Sequence, residues 1–167
     1  MSRHSIPSHV SLLTTLLLAG AAFHALAADS AKGTLKMTSE GKPVSEEITH
    51  VYYITGPDSF APEQTTRRLI FATTDTTAAI AACADARCAM SSIGNGITVE
   101  LEAETPMARW WAHIRPTQQS GMGNRSIVSL TTDTPERVAG TLKIDSLGVK
   151  ATITFDAELA KAFGPSP

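Results

Sequence analysis

Residues 97–115 constrain the fold more tightly than any other stretch of the chain. Ile97, Val99, Leu101 and Ala103 alternate with Thr98, Glu100, Glu102 and Glu104. After Thr105-Pro106-Met107-Ala108, Trp110, Ala112 and Ile114 alternate with Arg109, Trp111, His113 and Arg115. A period of two puts each set on its own face of a strand. The two runs therefore read as a hairpin with an apolar inner face and a charged outer one. A slip of one residue would bury the glutamates, so the faces are strongly specified. Folding about Pro106-Met107 predicts that Ala103 meets Trp110, Leu101 meets Ala112 and Val99 meets Ile114. On the outer face it sets Glu104 against Arg109, Glu102 against Trp111, Glu100 against His113 and Thr98 against Arg115.

The same alternation recurs along the chain. Residues 34–38, 48–55, 67–73, 126–132, 138–144 and 149–155 read as strands, bounded by turn residues such as Gly56-Pro57-Asp58 and Asp145-Ser146-Leu147-Gly148. Arg67 to Thr73 is apolar on both faces. Thr77 to Ala84 is rich in alanine and predicts one short helix capped by Asp75 or Thr76. Pro116 to Asn124 reads as a polar, glycine-containing loop, and Asp156 to Phe163 as a short closing helix. About eight antiparallel strands with one helix imply an all-β sandwich, with a small β-barrel as the alternative. Gly33-Thr-Leu-Lys-Met-Thr-Ser-Glu-Gly41 echoes Gly140-Thr-Leu-Lys-Ile-Asp-Ser-Leu-Gly148. That echo suggests related places for the first and last strands.

Residues 1–27 carry the signature of a secretory signal peptide. Arg3 opens it, Val10 to Ala22 form an apolar run, and Ala25-Leu26-Ala27 offers a small-x-small cleavage site. The run is shorter than the roughly 20 residues that span a bilayer. The expectation is a periplasmic or secreted protein, with residues 28–167 as a single domain and no membrane insertion after cleavage. Cys83 and Cys88 then read as a disulfide. Residues five apart on one helix diverge by about 140°, so the bridge requires the helix to end or bend between them. The spacing is not the C-x-x-C of a redox pair.

Charge points away from nucleic acid, because the net charge is −2 with no basic run. Fingerprints for phosphate, dinucleotide, zinc or nucleophile-elbow chemistry are lacking in the sequence, and no cofactor or metal is expected. The expected function is a non-enzymatic exported binding module for a protein or glycan partner, of an inhibitor, immunity or adhesion type. Its candidate patch is Trp111, His113, Arg115, Glu100 and Glu102, since an aromatic among charges has the makings of an anchor. Two alternatives stand beside it. One is a periplasmic copper protein drawing on Met37, Met90, Met107, Met122, His50 and His113. The other is a small hydrolase using Glu100 and His113.

Overall fold

A computed structural model describes residues 29–58, 61–101 and 106–164. The leader with its expected cleavage site, and the hairpin tip with Glu102 and Glu104, lie outside the described residues. The strands are β1 Asp29–Ser39, β2 Lys42–Pro57, β3 Thr65–Ala72, β4 Gly96–Leu101, β5 Met107–Ile114, β6 Thr117–Asn124, β7 Val128–Asp133, β8 Arg137–Ser146 and β9 Val149–Ala162. Two short helices, α1 Thr77–Ala82 and α2 Ala86–Ser91, lie between β3 and β4, and a 3-10 turn, Arg125–Ile127, links β6 to β7.

The fold is mainly antiparallel β, in one sheet of order β6-β5-β4-β3-β2-β1-β9-β8-β7. Beyond the start of β1 at Asp29, the far part of β9 runs parallel to β2, with Tyr53 opposite Leu159. The sheet folds over its inner face. In a flat sheet β3 and β7, five places apart, would be about 24 Å from each other. Instead Arg67 of β3 forms an ion pair with Asp133 of β7. Phe71 of β3 meets Phe155 of β9 edge-on at 5.3 Å. Ser39 at the end of β1 shares a 2.7 Å hydrogen bond with Thr117 of β6. The main core fills the space so enclosed, with Trp110, Leu35, Leu69, Phe71, Ile97 and Ile153 all buried.

β3 from Arg68 to Ala72, and β2 from Val51 to Ile54, are buried on both faces, as the apolar run at Arg67–Thr73 implied for β3. Tyr52, Ile54, Ile70 and Ala72 point outward into a second cluster with Ile80, Cys83, Ala86, Ala89 and Phe163. The helices form that cover. α1 stops at Ala82 and Cys83 takes an extended backbone, so Cys83 and Cys88 come to 5.4 Å between Cα atoms and are bridged. Asp85 caps α2, accepting from the Cys88 N–H at 2.7 Å. Lys161 of β9 donates to the carbonyls of Ala81 and Cys83 at 2.8 and 2.7 Å, tying the end of α1 to the sheet.

Three expectations are corrected. Residues 117–124 are strand β6, paired along their whole length with β5, and not a loop. Residues 156–162 continue β9 instead of forming a helix: Ala157 pairs with Val138 and Glu158 with Arg137. In the β4–β5 hairpin the faces are as expected, with Trp110 buried inside and Trp111 outside, but the register is not. Val99 faces Trp110, Glu100 faces Arg109 and Gly96 faces His113. The partner has slid by four residues, an even number, which preserves both faces. The physical reason lies on β3, where Arg68 stands opposite Glu100. The observed register sets a second guanidinium on the other side of the same carboxylate.

The echo between residues 33–41 and 140–148 has a structural counterpart. β1 and β8 flank β9 on its two sides, with Gly33 and Leu142 both opposite Ile153. Each strand leads into a two-residue turn with positive φ at both positions, Glu40-Gly41 and Leu147-Gly148.

Candidate functional site

The outer face of β4, β5 and β6 slopes from under α2 to the edge of the sheet, and a cavity of about 910 Å³ opens there. Its floor is a chain of opposite charges. Arg68 is 2% exposed and Glu100 2%. Arg68 Nε donates to Glu100 Oε1 at 2.7 Å. The other Arg68 donors reach the carbonyls of Gly56 and Thr66 at 3.2 and 3.3 Å and of Pro57 at 2.8 Å. Arg109 Nη2 lies 3.3 Å from Glu100 Oε2 and 3.5 Å from Asp58 Oδ2. Asp58 is fixed in turn by the Thr66 hydroxyl at 2.7 Å and the Ala61 N–H at 3.1 Å. Buried charges persist only when paired and hydrogen-bonded, and here two cations match two anions. The floor is therefore rigid and neutral.

The walls are of different chemistry. Trp111 and Met122 carry the surface across β5 and β6 towards the edge, and Met90, Ala86 and Arg87 come down from α2 beside Asp85. The disulfide loop between Cys83 and Cys88 thus supplies part of one wall. Pro57, Pro62 and Gly164 complete the lining. An indole and two thioethers above a neutral polar floor suit a ligand with an apolar body and a few hydrogen-bonding groups.

Of the residues singled out in sequence, Trp111 and Glu100 come together at this cavity, Trp111 half-buried and Glu100 in the floor. Glu102 lies outside the described residues. His113 is half-buried further along β5, between Gly96 and Gln118. Burial, and then the Arg115 charge, push its imidazole below the ordinary value of 6.5. Arg115 is exposed past the end of β5, its backbone N–H donating to Asn95 Oδ1 at 3.1 Å. Neither lines the cavity. Glu100 and His113 share a face but sit four residues apart in register, about 14 Å at 3.4 Å per residue, so they do not form a pair. Met90 and Met122 both line the cavity, whereas Met37 belongs to the inner core. Among the described residues no group of three His, Cys, Asp or Glu could hold a metal ion.

Sequence reading passed over Arg68 and Asp58 as site residues, and weighed Met90 and Met122 only among scattered soft-metal ligands. Arg68 carried a signal: a cation at the head of a run apolar on both faces, if buried with it, requires a buried carboxylate, and that carboxylate is Glu100. Nothing in the sequence set Met90 and Met122 together, because only the fold brings α2 and β6 to one cavity. Comparison with known protein families, curated proteins and solved structures found no match.

Proposed function

We propose that this is an exported, non-enzymatic binding module that takes a protein or glycan partner at the outer-face cavity. The observation that carries the reading is the placement of Trp111: half-buried, standing in the wall of a cavity whose floor is held rigid by the Arg68–Glu100–Arg109–Asp58 chain. A rigid aromatic at a preformed hollow presents desolvatable area at little cost in side-chain entropy, as binding anchors do. Export rests on the leader of residues 1–27, and the Cys83–Cys88 bridge is compatible with it. Among the described residues no helix is long and apolar enough to cross a membrane.

The test compares the wild-type protein with Trp111→Ala, matched by circular dichroism and thermal midpoint, in capture from envelope extract and on a glycan array. Loss of a wild-type partner by the folded variant is expected. Undiminished capture would remove the cavity from the reading. A soft-metal role retains one supporting observation, the shared position of Met90 and Met122, and metal analysis of natively purified protein tests it.

A further inference from the structure

We infer that β6 is a docking edge, at which an extended segment of a partner polypeptide adds to the sheet as a further strand and lays one long apolar side chain into the cavity beside Trp111. The side-chain half of this inference rests on the cavity being a binding site. The backbone half rests on the sheet edge alone.

The two edges of the sheet differ. β7 is six residues long and slips register between Leu130 and Thr132. Its last residue, Asp133, is held by Arg67, and Thr134-Pro135 follow. Short length, a bulge, charge and a nearby proline are the devices by which edges are kept from pairing. β6 carries none of them within its span, although Pro116 stands just before it and Arg125 just after. It is eight residues, Thr-Gln-Gln-Ser-Gly-Met-Gly-Asn, without charge or proline, and it pairs with β5 without a slip. Among the described residues no strand pairs with its outer side. Its open N–H and C=O groups complement any extended backbone.

The edge also leads into the cavity. Met122, 63% exposed, is one of two large apolar side chains exposed to that degree among the described residues. It lines the cavity and pairs with Arg109, while Trp111 pairs with Ser120. A strand added beyond β6 would sit two strand spacings from Trp111, about 10 Å. Only Ser120, a small residue, stands between. A side chain as long as Phe, Tyr, Leu or Met crosses that gap. A lone charge gains little there, because the floor is already internally paired.

The occupant is a partner segment and not a second copy of the chain. Two β6 edges would share a strip about 27 Å long and about 10 Å deep. That is of the order of 270 Å² per copy, against the roughly 800 Å² per partner of a stable interface.

The experiment uses synthetic heptapeptides of alternating threonine and valine with Phe, Leu or Lys at the centre, titrated into the full exported protein by calorimetry and tryptophan fluorescence. Saturable binding of the Phe and Leu peptides is expected. It should weaken by more than about tenfold with Lys at the centre, with alternate backbone nitrogens methylated, or in Ser120→Lys. Gln118→Lys, also exposed on the same edge, should weaken binding likewise and guards against a folding defect peculiar to one variant. Binding that ignores N-methylation would overturn strand addition while leaving the cavity reading intact. No binding by any peptide, with Trp111-dependent capture from extract retained, would overturn it as well. So would a concentration-dependent dimer abolished by Ser120→Lys, since the edge would then belong to a second copy.

Discussion

Arg68 and Glu100 face each other across β3 and β4, with 2% and 3% of their side chains exposed. Removing one member leaves the other charged and buried, whereas removing both can be nearly neutral. Glu100→Leu is expected to cost about 3–5 kcal/mol, and the double variant Arg68→Met/Glu100→Leu to be more stable than that single variant. Urea denaturation of both singles and the double decides it. A double variant as unstable as the sum of the singles would mean that the pair is not energetically coupled. His113 works in the opposite sense to a salt-bridged histidine. Its folded imidazole titrates below 6.5 because burial and then Arg115 disfavour the cation. The unfolded chain therefore binds the proton more readily, so His113 contributes stability above about pH 6.5 that is lost as the pH falls through its folded value. His113→Gln should flatten the slope of stability against pH across that window. An unchanged slope would place the dependence on another group.

At the scale of elements, β6 shows how a strand can be disguised. Its glycines read as loop punctuation, yet Gly121 is on the inner face opposite Trp110, and a Cβ there would lie 2.4 Å from the indole Cζ2. Glycine is present because the neighbour is large, a reason the local sequence does not carry. Gly121→Val is expected to cost about 1–3 kcal/mol by overpacking and to perturb the near-ultraviolet dichroism of Trp110. Ser120→Val, one position away on the outer face, should cost within about 0.5 kcal/mol. If both cost the same, the indole does not set the requirement. The tail of β9 was misread for a related reason. Asp156-Ala-Glu-Leu-Ala-Lys-Ala has helix-forming composition, but Val138, Arg137 and Tyr53 offer it partners on two neighbouring strands, and pairing outweighs propensity. The break between α1 and α2 was legible, because a bridge between residues five apart forbids an unbroken helix.

Across the whole molecule, one sheet supplies both walls of the core, so neither half can keep its inner face dry without the other. Unfolding is expected as a single transition. Tryptophan fluorescence, reporting β5, and far-ultraviolet dichroism, reporting all strands, should give the same midpoint. Separate midpoints would mean that the β7–β8–β9 end comes away on its own. The alternation along the chain determined which residues face inward, because a period of two survives any even slip: Trp110 and Trp111 fell on their expected sides although the register moved by four. It also determined the antiparallel β class, and the five-residue spacing of Cys83 and Cys88 determined the helix break at the disulfide. Only the tertiary structure decided which residues are neighbours around Glu100. Arg68 and Asp58 reach it from β3 and its approach, and Met90 and Met122 overlook it from α2 and the sheet edge. Those neighbours are set by strand order and by the folding of the sheet. Both are properties of the closed core and leave no trace in the local pattern of any one strand.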